Sequence, residues 1–125
     1  FEHCDVVSLH VPLTPITNKM VQTRWIQQFK KPIILINSSR GSVIETTAVV
    51  DGLASGHLEG AILDVIEYEK DSLEGLSLRP QAFEILSKHD RVVLSPHVAG
   101  WSHESYFKLS DVLAHKILRN PGEKL

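Results

Sequence analysis

Short apolar segments alternate with amphipathic segments along the chain, and this alternation predicts its secondary structure. The clearest apolar segment, residues 33–36, is too short for a helix and is rich in β-branched isoleucine, so it predicts a strand buried on both faces. Further strands are predicted at residues 5–11, 60–65 and 92–95. Pro12 and Pro96 end the first and last of these strands, because proline cannot continue a central hydrogen-bonded ladder.

Helices are predicted between these strands and after the last one, where apolar residues recur at helical spacing. They run over residues 24–30, from Thr46 or Thr47 to Gly56, from Pro80 to about 88, and from Ser102 to about 119. The threonine or serine at a helix start, including Thr23, is the expected N-cap, and Gly56 is expected to end its helix in a left-handed conformation. Residues 66–79 are expected to form a polar loop. This order of elements predicts an α/β fold with a doubly wound parallel sheet and right-handed crossovers.

Composition and charge narrow the classes of protein to which the chain can belong. Its 125 residues suit one domain with a buried core. The net charge of −2 gives no basic surface for nucleic acid, and no apolar segment approaches the roughly 20 residues of a membrane span. A single cysteine, Cys4, excludes an internal disulfide framework. We therefore expect a soluble, cytoplasmic protein that binds neither nucleic acid nor a membrane.

Charged and histidine side chains follow the predicted strands at the points where these strands end. They are His10 near Pro12, then Arg40, then Asp64 with Glu67 and Glu69, and finally His97. Taken singly, each is as well explained by a surface ion pair or a polar loop. Because the carboxyl ends of parallel strands share one edge of a sheet, however, these groups are expected to converge. A histidine beside a carboxylate, with an arginine to hold an anion, predicts proton transfer at a hydroxyl or carbonyl carbon next to a carboxylate.

Four segments of the chain resemble successive signatures of one enzyme family. They are DVVSLHVPLT at 5–14, ILINSSRG at 34–41, GHLEGAILDV at 56–65 and LSPHVAG at 94–100. Together they look like the motifs of the D-isomer-specific 2-hydroxyacid dehydrogenases, of which D-3-phosphoglycerate dehydrogenase is one branch. The motifs occur in the family's order and with family-like spacing over nearly the whole chain.

The resemblance implies a catalytic triad. Arg40 matches the arginine that grips the substrate carboxylate and carbonyl, and His97 matches the general acid/base that protonates the oxygen as the nicotinamide delivers hydride. Glu69 matches the glutamate that hydrogen-bonds this histidine, whereas Glu67 lies two residues too early. Arginine cannot lose its charge, so Arg40 is expected to be a clamp for the substrate rather than a proton carrier.

The resemblance also implies that NAD is the cofactor. Asp64 matches an aspartate near the nicotinamide carboxamide, and the positions lining the nicotinamide and its ribose are His10, Pro12, Ser39 and Gly100. No metal site is expected, since no carboxylate or cysteine completes one with the histidines of the last helix. Trp101 follows the His97 motif and could wall the substrate pocket, but packing against the last helix is the expected role.

The chain carries no G-x-G-x-x-G motif, which in the family lies upstream of residue 5 together with most of the substrate domain. Residues 1–125 are therefore expected to be the C-terminal portion, the second half, of a Rossmann-type NAD-binding domain. The opening Phe1 and the strand almost directly after it agree with a piece of a longer protein.

The resemblance implies an oxidoreductase that transfers hydride between NAD(H) and a small D-2-hydroxy acid or 2-oxo acid, homodimeric as a whole and inactive as this fragment. The alternative is a nucleotide-sensing or protein-binding module of the same fold without significant turnover. The presence of Arg40, Glu69 and His97 together favours the enzyme. Without the preceding strand, residues 5–11 are expected to form an exposed edge that invites pairing with another chain.

Overall fold

A parallel sheet of four strands organises the part of the chain that the structure describes, residues 1–68 and 80–119 of a computed structural model. The strands are β1 (Val6–Leu9), β2 (Ile33–Asn37), β3 (Leu58–Leu63) and β4 (Val92–Leu94). The α-helices are α1 (Thr23–Ile26), α2 (Thr46–Ser55), α3 (Gln81–Ser87) and α4 (His103–Arg119). A short 3₁₀ turn, Gly41–Val43, precedes α2. All predicted helices and strands occur, although β3 begins and ends two residues earlier than expected and α1 ends at Ile26 rather than at residue 30.

Neighbouring strands run parallel, and their order across the sheet is β1-β2-β3-β4. Leu35 of β2 lies opposite Val7 of β1 and Ala61 of β3, which fixes the register of these three strands. In the part of the chain that the structure describes, one α-helix lies between each pair of consecutive strands. Parallel neighbours joined by helical crossovers confirm the predicted α/β, Rossmann-like fold class.

One face of the sheet is packed against helices. Paired residues of parallel strands point to the same side, and the row formed by Leu9, Asn37 and Leu63 is buried. Leu9 and Leu63 belong to one core cluster with side chains from all three connecting helices, Ile26, Val49 and Leu86. Right-handed crossovers between strands that follow one another in order place successive helices on the same side, which explains this common core.

The opposite face of the sheet is more open. Its row of paired residues consists of Ser8, Ile36, Ile62 and Val93, all exposed or half-buried. The prediction that β2 is buried on both faces is therefore wrong for the described residues, because buried and half-buried positions alternate along this strand. Helices α1–α3 cover only the other side.

Two helix ends, at Gly56 and Ser102, have the caps that the sequence predicts, and a third, at Thr23, does not. Gly56 ends α2 with a left-handed backbone, φ 77°, and Ser102 caps α4 by accepting a hydrogen bond from the Ser105 amide at 3.0 Å, as predicted. Thr23 does not cap α1, contrary to prediction. Its hydroxyl instead donates to the carboxylate of Asp51 at 2.9 Å, which joins α1 to α2.

Helix α4 has an apolar stripe at helical spacing, as predicted, but none of its residues is buried. The stripe consists of Tyr106, Leu109, Leu113 and Ile117, all exposed. Trp101, just before this helix, is 70% exposed, so its expected packing role is wrong. Across the described residues, no helix is both long enough and apolar enough to cross a membrane.

Candidate active site at the carboxyl edge of the sheet

Hydrogen bonds between backbone groups join three chain segments at the carboxyl edge of the sheet. The amide of Asp64, just past β3, donates to the carbonyl of Asn37 at the end of β2, at 3.0 Å. The amide of His97, just past β4, donates to the carbonyl of Asp64 at 2.8 Å. The ladder of the sheet thus continues beyond the strands and makes Asn37, Asp64 and His97 neighbours, as the parallel topology predicts.

The turn that carries Arg40 is shaped by the side chain of Asn37, which is 1% exposed. Its Nδ2 donates to the Arg40 carbonyl at 3.0 Å, and its Oδ1 accepts from the amide and hydroxyl of Ser39 at 3.1 and 2.9 Å. Both polar atoms of this buried amide therefore bond to one turn, and Arg40 in that turn is exposed at the edge. Sequence reasoning gave Asn37 no role, although an asparagine followed by serines and a glycine is typical turn chemistry.

Gly41 allows the Arg40 turn to approach the segment that follows β3. A Cβ atom at Gly41 would lie 1.9 Å from the carbonyl oxygen of Ile66, a distance that no side chain can occupy. Only glycine permits this contact between two backbone segments. The turn that carries Arg40 therefore packs directly on the segment that leads to residue 69.

Asp64 is 5% exposed, and its carboxylate accepts three hydrogen bonds from the loop after β4. Its Oδ1 accepts from the Ser95 hydroxyl at 2.7 Å and the Val98 amide at 2.8 Å, and its Oδ2 accepts from the Ala99 amide at 2.9 Å. Burial by itself raises the pKa of Asp64, but these hydrogen bonds, aided by nearby His97, outweigh burial and hold the pKa below its usual range. Asp64 is therefore an ionised, buried acceptor at neutral pH.

His97 has a backbone conformation that is unusual for a residue with a side chain. Its φ is 55°, in the left-handed region, which costs about 1–3 kcal/mol for residues other than glycine. Its amide donates both to the Asp64 carbonyl and to the Ser95 carbonyl, at 2.8 and 3.0 Å. Backbone strain of this kind persists where the surroundings hold it, and it clusters at functional sites.

A cavity of about 490 Å³ opens between the ends of β3 and β4. Residues 63–66 and 94–97 line it, together with Phe83 from α3. Most of the lining residues are apolar, and the polar ones are Asp64, Ser95 and His97. This volume lies within the range of small-molecule sites, and an apolar pocket with a few convergent polar groups is their usual composition.

Glu67 joins the loop after β1 to the start of α2. Its Oε1 lies 2.7 Å from Lys19 Nζ, and its Oε2 accepts from the amide and hydroxyl of Thr46 at 3.1 and 3.2 Å. It therefore caps the start of α2 from 21 residues away, and Thr46 is the first residue of the helix rather than its N-cap. Burial by itself raises the pKa of Glu67, but the hydrogen bonds and charge of Lys19 and the bonds from Thr46 lower it below its usual range.

Glu69, the expected partner of His97, lies outside the described residues, as does most of the predicted loop at 66–79. Both carboxylate oxygens of Glu67 are engaged with Lys19 and Thr46, which agrees with the expectation that Glu67 is not the partner of this histidine. Sequence reasoning missed Lys19, because its ion pair joins positions 48 residues apart with no local pattern between them.

The other predicted cofactor residues lie in the segments that follow β1, β2 and β4. His10 and Pro12 are exposed, with His10 Nε2 at 2.8 Å from the Ser8 hydroxyl. Ser39 is half-buried in the turn. Gly100 is exposed, and a Cβ atom there would meet nothing within 4 Å. Their role towards a cofactor stays a prediction.

The histidines of α4 are exposed, in agreement with their interpretation as surface residues. His115 lies 3.3 Å from the carboxylate of Asp111 on the same helix. Within residues 1–68 and 80–119, no group of three or more histidine, cysteine, aspartate or glutamate residues is placed to hold a metal ion.

Similar sequences include a dehydrogenase and a reductase. The chain is 36% identical over 116 residues to D-3-phosphoglycerate dehydrogenase of Haemophilus influenzae, covering 93% of this chain and 27% of that protein. It is 37% identical over 117 residues to glyoxylate reductase of Thermofilum pendens, covering 94% of this chain and 32% of that protein. The chain thus spans about a third or less of the length of these relatives.

Solved structures agree with the sequence comparison. The D-isomer specific 2-hydroxyacid dehydrogenase of Lactobacillus delbrueckii ssp. bulgaricus, in its NAD-complexed form, matches with a TM-score of 0.77 and 30% identity, covering 96% of this chain and 39% of that one. The D-lactate dehydrogenase of Aquifex aeolicus, complexed with NAD and lactic acid, gives 0.70 and 30%, covering 94% and 38%. Residues 1–99 match the model of the D-isomer specific 2-hydroxyacid dehydrogenase, NAD binding domain. The resemblance seen in the motifs is confirmed, and the chain belongs to this family.

Proposed function

We propose that the chain is the C-terminal portion of the NAD-binding domain of a longer oxidoreductase, which transfers hydride between NAD(H) and a small D-2-hydroxy acid or 2-oxo acid. The observation that carries this proposal is the backbone ladder through Asn37, Asp64 and His97. It links the turn of Arg40 to the loop of His97 at one edge, beside a cavity of about 490 Å³. An arginine and a histidine at one edge suit a substrate that bears a carboxylate next to a carbonyl or hydroxyl.

Arg40 and His97 have different tasks in this reaction. The guanidinium of Arg40 binds the substrate carboxylate and polarises the oxygen that is reduced, and its charge stays fixed throughout. The imidazole of His97 donates a proton to that oxygen during reduction and removes it during oxidation. Glu69 is proposed to hydrogen-bond the imidazole and orient it, as the resemblance implies.

The residues of this edge fit the nicotinamide end of the cofactor. The mainly apolar cavity suits a flat ring, and the residues proposed to line the nicotinamide and ribose are His10, Pro12, Ser39, Asp64 and Gly100. When bound, NADH supplies the hydride. The 125 residues contain no G-x-G-x-x-G for the pyrophosphate, so we propose that the chain is inactive by itself.

The test is NADH consumption by the full-length protein, followed by absorbance with a panel of 2-oxo acids. We expect turnover on at least one acid and its collapse in His97→Ala. The matched control is His103→Ala, which removes an exposed histidine at the start of α4 and should leave turnover unchanged. Binding of NADH without turnover on any acid would overturn the enzyme and support the nucleotide-sensing alternative.

We further infer a cytoplasmic location and a homodimer. Cys4 is free and exposed, which suits a reducing compartment. The homodimer is proposed for the longer protein. The edge of β1, which pairs with β2 alone among the described strands, does not support it, because a preceding strand is expected to pair there in the longer protein.

A further inference from the structure

We propose that Lys19 is a positioning residue, which holds the turn of Arg40 in place and thereby sets the affinity for the substrate carboxylate. It acts on this turn in two ways, through its backbone amide and through its ion pair with Glu67. The inference rests on the proposed function, in which Arg40 binds the substrate carboxylate. It adds to that function a residue that acts through the arginine.

The backbone of Lys19 lies in the left-handed region, with φ 50°. Among the described residues other than glycine, His97 is the only other one with a positive φ. Glycine adopts this conformation without strain, whereas a residue with a Cβ atom does not. Such strain persists where neighbouring contacts hold it, and it clusters at functional sites. The contacts of Lys19 therefore indicate what this residue does.

Lys19 holds the segment that follows Arg40 at two points. Its amide donates to the carbonyl of Ser42 at 2.7 Å. Its ammonium lies 2.7 Å from Glu67 Oε1, and the other oxygen of this carboxylate accepts from the amide and hydroxyl of Thr46 at 3.1 and 3.2 Å. Residues 42 and 46 are thus both tied to one lysine, the first directly and the second through the carboxylate.

The ion pair of Lys19 and Glu67 is partly shielded from water. The side chain of Glu67 is 16% exposed, and that of Lys19 is 46% exposed. An ion pair fully in water contributes little, because solvent screens it and both side chains lose freedom. Here the bonds from Thr46 already fix the carboxylate, so the ammonium meets a partner that needs no further ordering. The pair can therefore restrain the segment after Arg40.

The position of the guanidinium depends on the backbone of its own turn. Arg40 Nη1 donates to the carbonyl of Ser39 at 2.7 Å, so a shift of the turn would move the guanidinium with it. Asn37 holds this turn at residues 39 and 40, and Lys19 holds it at residue 42. A bond of two parallel hydrogen bonds between a guanidinium and a carboxylate depends on geometry. Loss of one support is therefore expected to weaken the binding of the acid.

The first test compares Lys19→Met with Lys19→Arg in the full-length protein, by steady-state kinetics on the accepted 2-oxo acid and NADH affinity by fluorescence. Methionine removes the ammonium and keeps an unbranched side chain, whereas arginine keeps the charge. We expect the KM for the acid to rise about threefold to fivefold in the methionine variant and less than about twofold in the arginine variant. The Kd for NADH should be unchanged in both.

Three results of this comparison would overturn the proposal. The first is a wild-type KM in Lys19→Met, and the second is an equal KM in the methionine and arginine variants. The third is a loss of NADH affinity as large as the rise in KM, because Lys19 would then support the segment of Pro12, which is proposed to line the nicotinamide, rather than the turn of Arg40.

Lys19→Gly separates positioning from stability. Glycine relieves the left-handed backbone but carries no ammonium. We expect a thermal midpoint at least as high as that of Lys19→Met, together with the same rise in KM. A glycine variant with wild-type KM would mean that Lys19 serves the fold alone, and the proposal would fail.

A double variant shows whether Lys19 acts through Arg40. Arg40→Ala leaves no guanidinium to position, so the effects of the two substitutions should not add. In this background we expect Lys19→Met to change kcat/KM by less than about 1.5-fold. A loss as large as that seen with Arg40 present would show that Lys19 acts on the reaction by another route, and this would overturn the proposal.

The hold of Lys19 on the turn can be tested even without turnover. If the wild type reduces no 2-oxo acid, the proposed function fails, and hydrogen exchange decides whether Lys19 restrains the turn. The amide of Val43 donates to the Arg40 carbonyl at 3.2 Å. We expect Lys19→Met to speed exchange at Val43 at least about threefold relative to Leu35 in β2. Equal exchange in wild type and variant would overturn the inference.

Discussion

The ammonium of Lys19 lies 2.7 Å from the carboxylate of Glu67, and this ion pair joins the loop after β1 to the segment after β3. The same carboxylate caps α2 through Thr46. Two loops at the carboxyl edge and the helix that follows the Arg40 turn thus meet at one side chain. Neighbouring backbone bonds support the junction, since the Lys19 amide donates to the Ser42 carbonyl at 2.7 Å.

Removal of this carboxylate should weaken the fold. Glu67→Ala is expected to lower the thermal midpoint by about 2–4 °C, the usual effect of losing a helix cap of about 1 kcal/mol. The pKa of Glu67 is lowered, so its contribution is complete above the ordinary value of 4.5 and disappears as pH falls through the folded-state value. The difference between wild type and variant, measured by calorimetry, should therefore shrink on acidification. Glu59→Ala, at an exposed position of β3, is the control and should show neither effect.

Gly41→Ala should be the most damaging single-methyl change at this edge. The new Cβ would lie 1.9 Å from the Ile66 carbonyl oxygen, and backbone cannot move aside as a flexible side chain can. We expect a loss of about 1–3 kcal/mol in the free energy of unfolding, measured with urea. Gly100→Ala adds the same methyl group in open space and should stay within about 0.5 kcal/mol of wild type. Similar losses in the two variants would contradict the close approach of the two segments.

Asn37→Asp tests the turn that presents Arg40. The substitution keeps the size of the side chain, but it removes the donor to the Arg40 carbonyl and places an oxygen against an oxygen in a fully buried site. We expect a loss of about 1–3 kcal/mol in stability and a higher KM for the 2-oxo acid, since the turn can no longer hold Arg40 in place. A variant with wild-type urea midpoint and wild-type KM would show that the Asn37 amide does not shape this turn.

Arg40→Lys separates the charge of the residue from its shape. Lysine keeps the positive charge but loses the planar fork that binds a carboxylate through two parallel hydrogen bonds. Because Arg40 is exposed, the fold should be unaffected, and the KM for the acid should rise about tenfold or more. Arg24→Lys, on an exposed part of α1, should leave the steady-state kinetics unchanged. An unaltered KM in Arg40→Lys would leave Arg40 without a substrate role.

The 125-residue chain, expressed alone, should self-associate through β1. Among the described strands, β1 pairs with β2 alone, and its Val6 is 52% exposed. Sedimentation at several concentrations should show a rising average mass. Val6→Lys places a charge on the edge strand and should reduce the association. A well-folded monomer with no concentration dependence would contradict this prediction.

Features with local causes were predictable from the sequence, and features with remote causes were not. Gly56 and Ser102 act on their own helices, so turn and cap rules placed them correctly. The hydroxyl of Thr23 bonds Asp51 on another helix, and the cap of α2 comes from Glu67 in another loop. In both cases, a hydrogen bond to a residue distant in the sequence takes the place of the N-cap that the local sequence favours.

At the carboxyl edge of the sheet, too, some features were predictable from the sequence and others depend on residues far apart in it. Parallel pairing predicted that the groups at 40, 64 and 97 lie along one edge of the sheet, and the backbone ladder joins the three chain segments that carry them. The left-handed backbone of His97 and the three donors on the Asp64 carboxylate depend on contacts 31 to 35 residues apart. No periodicity or composition encodes such contacts.

The two halves of the candidate site differ in when they can form during folding. The Asn37 turn closes over three residues, so it can appear within a partly folded chain at little entropic cost. The bonds of Asp64 to the loop after β4 need a closure of more than 30 residues and the pairing of the last strand. The turn of Arg40 can therefore form before the loop of His97, and a chain that lacked β4 would have the first half of the candidate site without the second.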